Sequence, residues 1–165
     1  MPSYFTTHDG AYFERVPEKL VLEGYRRWMA GFDTGSVAPW ETTWALYADL
    51  LGPTDARKAM GELSHFVRTL RQCATCPLRS FPFGAHHICR DECLTLGLIA
   101  AHQHCNTEAA ALCLSVMSCP TRWRNVDDAA GSFASSLASL DHHLLPIPAA
   151  AIEDVIARAA RTTVH

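Results

Sequence analysis

The chain lacks the features that would place it in a membrane, outside the cell or on a nucleic acid. Its most continuous apolar stretch, residues 93–101, is far shorter than the about 20 residues that span a bilayer. Its first residues carry neither a basic start nor an apolar run, so no secretion signal is expected. Fourteen Lys and Arg against seventeen Asp and Glu give a net charge of −3, whereas a nucleic-acid surface normally needs a basic face. These absences predict a soluble, cytoplasmic protein with no membrane partner.

The familiar catalytic and nucleotide-binding motifs are also missing. The sequence contains no glycine-rich phosphate loop, no GxSxG turn and no CxxCH haem attachment. Glu62 and His65 form one Glu-x-x-His, but a di-iron bundle needs two such motifs, and both residues are predicted on a polar helix face. The sequence therefore leaves enzyme activity undecided and favours a non-enzymatic role.

Helical periodicity dominates the rest of the chain, and alternating strand patterns are missing. Hydrophobic residues make up 48% of 165 residues, enough for one buried core. We predict an all-α, single-domain bundle of about seven short helices, with an irregular N-terminal arm at 1–16 and one helical domain at 17–165. The helices are expected after Pro17, after Pro39, over about 55–72, 88–103 and 109–117, from Asp127 or Asp128 to Leu144, and after Pro148.

Two features of individual helices follow from the same pattern. In the first helix, Lys19, Glu23 and Arg27 fall on the side opposite the apolar stripe and are predicted to form spaced charge pairs. The helix over 88–103 is apolar nearly all round in its second half and contains Gly97, so we expect it to be the central, most buried helix.

Seven cysteines are the distinctive feature of the composition. Disulfides explain them poorly, because the expected compartment is reducing and the number of cysteines is odd. A Cys/His-rich loop next to the central helix contains the CxxC pair Cys73 and Cys76 and leads to the CxxxC pair Cys89 and Cys93. His86 and His87 lie directly before the second pair.

This spacing predicts a metal centre. A CxxC pair at a helix end can turn two thiolates toward one point, and cysteines four apart within a helix share a face. Cys73, Cys76, Cys89 and Cys93, or three of them with His86 or His87, would bind a zinc ion or an iron–sulfur cluster. Four protein ligands leave no open position, so the protein would be an accessory or regulatory factor.

Three other interpretations stay open. The cysteines can be small buried apolar groups in a cofactor-free protein–protein interaction module, with Cys113 in the core. The contact surface of such an interaction module would be the aromatic N-terminal arm, with Tyr4-Phe5 and Tyr12-Phe13, or the Arg122-Trp123-Arg124 loop. The others are a thiol redox enzyme using Cys73 and Cys76, and a DNA-binding helix–turn–helix over 41–71. The pattern permits a homo-oligomer and assigns no role to Cys119.

Overall fold

Proline and glycine mark most helix boundaries, as the sequence predicts. The computed structural model describes residues 14–162, so residues 1–13 of the predicted N-terminal arm at 1–16 lie outside the described residues, and the first helix already begins at Val16. Within this range lie seven helices: α1 Val16–Thr34, α2 Ala38–Leu51, α3 Pro53–Cys73, α4 Arg90–Gln103, α5 Thr107–Met117, α6 Trp123–Ser139 and α7 Ala149–Thr162. The only β contact in the described range is a single bridge between Ala74 and Ser118.

The helix ends have identifiable local causes. Gly35 ends α1 in the left-handed region, with φ at 70°, and its N–H donates to the Gly31 carbonyl. Gly52 separates α2 from α3 with φ at 85°, directly before Pro53 in the first turn of α3. The Asn106 side chain accepts a hydrogen bond from the Ala109 N–H and caps α5.

The central position of α4 is confirmed. Every residue from 91 to 101 is buried, and α4 contacts α1, α5, α6 and α7. Gly97 permits this packing, because a Cβ there would lie 3.1 Å from Ile152 of α7 and 3.3 Å from the Cys113 sulfur of α5.

α2 and α3 complete the bundle by packing on each other and on helices that contact α4. α3 packs on α6, where the rings of Phe66 and Phe133 stack with centroids 6.0 Å apart. α1 packs on α2 through Trp28 and Trp40, whose centroids are 5.3 Å apart. The all-α bundle is therefore confirmed, and no helix of the described range is both long and apolar enough to cross a membrane.

Some predicted boundaries were wrong. α6 begins at Trp123 rather than at Asp127 or Asp128, and it ends at Ser139 rather than Leu144. Asp127 is not a cap, because its carboxylate pairs with His102 of α4 across the bundle. α4 begins at Arg90, so Cys89 precedes the helix instead of lying inside it.

Two glycine substitutions test the packing of α1 and the exposure of α3. Gly31→Ala should destabilise the protein by about 1–3 kcal/mol, since the added methyl would collide with the Trp40 indole. Gly61→Ala should stabilise it by up to about 1 kcal/mol, because its Cβ would meet nothing within 4 Å and alanine favours the helix. Urea denaturation of both variants measures the two changes in the free energy of unfolding. Equal changes in the same direction would contradict this description of the packing.

Candidate functional site

The segment between α3 and α4, residues 74–89, has no regular secondary structure and packs against the N-terminal end of α4. Pro77, Pro82 and Gly84 prevent a continuous helix there. We call residues 77–88 the anchored loop, because charged side chains of α1 and α4 bind its main chain. Such bonds replace the backbone pairing that a helix or sheet would provide.

Arg26 of α1 is the centre of this anchoring. Its side chain is fully buried, and all five of its guanidinium N–H groups donate hydrogen bonds. Two bonds, of 3.0 and 2.9 Å, form a bidentate pair with the buried carboxylate of Glu92 in α4. The others reach Glu23 and the main-chain carbonyls of Ala85 and His87.

The two glutamates extend the network to the opposite side of the loop. Glu92 accepts hydrogen bonds from the N–H groups of Phe81 and Cys89, in addition to those from Arg26. Glu23 accepts from the Gly84 N–H at 3.0 Å. One arginine and two carboxylates therefore bind five main-chain positions of residues 81–89.

A second set of contacts holds the start of the loop. The Asp91 carboxylate accepts from the Arg79 N–H at 2.8 Å, and the Tyr25 hydroxyl donates to the Arg79 carbonyl at 2.9 Å. Burial raises the pKa of Tyr25 well above its usual range, and the nearby Asp91 carboxylate adds to this. Tyr25 consequently stays a neutral donor at physiological pH.

With its main chain bound inward, the loop presents aromatic side chains outward. Phe81 is 38% exposed and Phe83 is 47% exposed, although both lie beside a fully buried ion pair. The Arg27 guanidinium lies 5.1 Å from the centre of the Phe83 ring, within cation–π distance. The exposed side chains of Arg79 and Arg90 flank the aromatic pair in sequence.

The predicted metal ligands lie at the two ends of this loop. Cys73 is buried at the end of α3, and Cys76 is exposed. Cys89 and Cys93 lie at the start of α4, and His86 and His87 are exposed on the loop. Among residues 14–162, no group of three or more His, Cys, Asp or Glu side chains is arranged to hold a metal ion. The four-cysteine site therefore stays a prediction.

Cys89 has a local structural role that the sequence reading missed. It is the N-cap of α4: its sulfur accepts from the Glu92 N–H, and its own N–H donates to the Glu92 carboxylate. The sulfur also donates to the Arg79 carbonyl at 3.5 Å. Burial raises the pKa of Cys89 to about 11 and that of Cys93 to about 12, which favours protonated thiols at neutral pH.

Cys113 is buried in α5, as predicted, and burial raises its pKa to about 12, with a further contribution from Cys93. The predicted pair of Glu23 with Arg27 is confirmed, with N and O 3.1 Å apart, but Glu23 does not lie on an exposed face of the helix. It is buried and contacts Arg26, while Arg26 itself was not singled out. One signal was present in the sequence, because Arg26 lies four residues after Leu22 and three before Met29, on a helix face that is buried.

A separate cleft of about 740 Å³ lies between α3 and α6 and contains Lys58, Glu62, His102 and Asp127. The His102 Nε2 lies 2.8 Å from the Asp127 carboxylate, and its Nδ1 lies against Gly131. No serine hydroxyl of the described chain hydrogen-bonds the His102 ring, so these residues do not form a nucleophilic triad as they stand. The pair joins α4 to α6.

Replacing Glu92 by glutamine tests whether the ion pair anchors the loop. Glu92→Gln keeps the shape but removes one of the two carboxylates that compensate Arg26, so it should lower the free energy of unfolding by about 3 kcal/mol. Trypsin should then cut faster after Arg79, because the loop is released from Glu92 at Phe81 and Cys89. Glu153→Gln, on an exposed face of α7, is the control and should change stability by less than about 0.5 kcal/mol. Equal stability of the two variants would contradict the anchoring role.

Comparisons with known proteins provide no relative for this site. No protein-family model, no curated protein and no solved structure matches the chain. The anchored loop and the contacts that hold it are therefore the basis for a function.

Proposed function

We propose that this protein is a cofactor-free helical interaction module that binds another protein through the anchored loop. One observation supports this above the others: a buried ionic cluster holds the main chain of the loop while Phe81 and Phe83 remain exposed. An exposed aromatic pair on a rigid backbone suits binding, because little conformational entropy is lost when the partner arrives. Aromatic side chains are also frequent anchors of interfaces.

The chemistry around the aromatic pair suggests the kind of partner. Arg79 is exposed near the aromatic pair, whereas Arg27, over the Phe83 ring, and Arg90 are paired with Glu23 and Asp91, so Arg79 is the arginine available to an acidic group of a partner. Opposite charge across an interface raises the association rate and selects against wrong partners. We infer a protein segment that combines acidic side chains with apolar ones.

The surfaces predicted from the sequence are alternatives to this one. The arm with Tyr4-Phe5 and Tyr12-Phe13 lies outside the described residues. Trp123 is 39% exposed at the start of α6, with the Arg124 guanidinium 5.5 Å from its ring. Trp123 lacks the main-chain anchoring of the loop, which makes position 123 a suitable comparison.

Site-specific photo-crosslinking tests the loop surface. With p-benzoylphenylalanine at position 83, irradiation in the host cell should give one defined crosslinked protein, and the same probe at position 123 should not. Excess wild-type chain should abolish the crosslink, whereas excess Phe81→Ser/Phe83→Ser chain should not. Crosslinking from 123 instead, or equal competition by both chains, would overturn the assignment.

The affinity of the partner identified in this way provides the quantitative check. Truncating two interface aromatics should weaken binding at least about tenfold, because each such anchor contributes more than about 1 kcal/mol. Trp44→Ser removes a similarly exposed aromatic from α2 and should change affinity less than about twofold. Titration calorimetry with the purified partner distinguishes these results, and equal effects of both changes would contradict the proposal.

We keep a zinc or iron–sulfur site at Cys73, Cys76, Cys89 and Cys93 as a second proposal. It is supported by the position of both cysteine pairs, one at each end of the same loop. Binding there would require Cys89 to leave its capping contacts and would displace protons from Cys89 and Cys93.

Elemental analysis and a visible spectrum of untagged protein purified without oxygen separate the two proposals. The interaction module predicts no stoichiometric metal and seven titratable thiols after denaturation. Stoichiometric zinc, or iron with sulfide, that is lost in Cys89→Ser/Cys93→Ala would instead establish the metal site. Metal retained in that variant would remove both residues from the ligand set.

A further inference from the structure

The end of α3 and the end of α5 meet at a short antiparallel contact. Ala74 forms the bridge with Ser118, and the Cys119 N–H donates to the Cys73 carbonyl at 2.8 Å. The Thr75 hydroxyl reaches the Val116 carbonyl at 3.5 Å on the other side of the bridge. Cys73 and Cys119 therefore lie directly opposite each other on two paired segments.

This register brings the two cysteines close to the geometry of a disulfide. Opposite residues at a hydrogen-bonded antiparallel position have Cα atoms roughly 5.5 Å apart, within the range of about 4.4–6.8 Å for disulfides. A disulfide also needs Cβ atoms about 3.5–4.5 Å apart, and Cys73, the last residue of α3, has helical rather than strand geometry, so closure requires both side chains to turn toward each other. The turn at Cys119-Pro120 is the segment that can move to allow this.

The two thiols also differ in their exposure to solvent, and this difference suits a reaction that begins at one thiol and ends at the other. Cys119 is partly exposed, and its sulfur lies 3.5 Å from the Thr121 hydroxyl. The Thr121 hydroxyl is placed to donate to this sulfur, a contact that stabilises a nucleophilic thiolate. Cys73 is buried, so it is protected from solution reagents, and its main chain is hydrogen-bonded to that of Cys119.

We propose that Cys73 and Cys119 form a redox modification site that takes a peroxide as its oxidant. The Cys119 thiolate attacks the O–O bond of hydrogen peroxide, forms an S–O bond and releases hydroxide, which leaves as water after protonation. The Cys73 sulfur then attacks the sulfenic sulfur, loses its proton and displaces a second hydroxide, which leaves as water. Two thiols and one peroxide give one disulfide and two waters, and the peroxide accepts both electrons.

The product would close residues 73–119 into a covalent ring that contains the anchored loop, α4 and α5. Such a ring restricts the unfolded chain more than the folded one, so oxidation should raise Tm by several degrees. The reaction involves no residue of the Arg26 network, so the site does not depend on the proposed partner binding.

The full-length protein, treated with hydrogen peroxide and then alkylated, tests the assignment. After denaturation the count of free thiols should fall by two from seven, reversibly with dithiothreitol, and the mass should fall by two hydrogens. Cys119→Ser should abolish both the thiol loss and the Tm increase. Cys105→Ser and Cys76→Ser, at the two exposed thiols of the described chain, should leave both changes intact.

The same variants identify the outcomes that would overturn the proposal. Loss of the product in Cys76→Ser would assign the bond to Cys76, and a covalent dimer on a non-reducing gel would assign it to two chains. Oxidation of Cys119 only to the sulfinic level would show that Cys73 does not resolve it. Cys119→Ser is on a partly exposed turn, so the test does not depend on how the buried Cys73→Ser variant folds.

Discussion

The bidentate pair between Arg26 and Glu92 is the interaction on which the shape of the candidate site depends. It joins the middle of α1 to the first turn of α4, and each partner also binds the main chain of the anchored loop. Removing the Arg26 charge would leave Glu92 buried without its bidentate partner, and removing the Glu92 charge would leave Arg26 paired with Glu23 but not with Glu92. Either change is more destabilising than the loss of one ordinary hydrogen bond. The loop conformation and the contact between α1 and α4 are therefore coupled.

The sequence predicted the helices well because their signals are local. Proline, glycine and apolar spacing act within one or two turns, which is why the start of α2 at Ala38 and the burial of Gly97 could be anticipated. The boundary of α6 could not, because Asp127 looks like a cap but its partner His102 is on another helix. Arg26 was missed for the same reason: its partners come from a loop and a helix about sixty residues away.

The cysteines show why residue type and spacing were not enough to assign their roles. Cys89 caps a helix, where serine or threonine is the usual choice, and Cys113 fills the core beside Gly97. The main chain of Cys73 pairs with that of Cys119 because two helices end side by side, a relation between positions far apart in sequence. The same side chain serves as a hydrogen-bonding group at Cys89 and as an apolar group at Cys113, and its neighbours decide which property matters.

The chemistry of the ionic cluster explains why charged rather than apolar side chains lie beneath this loop. Apolar residues of similar volume often stabilise a core as well as a buried ion pair does, so stability alone gives no reason for the cluster. Arginine and carboxylates, unlike apolar side chains, form directional hydrogen bonds. Here those bonds fix the main-chain positions of Phe81, Gly84, Ala85 and His87. An apolar core could bury the same helices, but it would leave those main-chain groups without partners and the loop without one conformation. The cluster is best understood as the device that holds two aromatic side chains in solvent on a defined backbone.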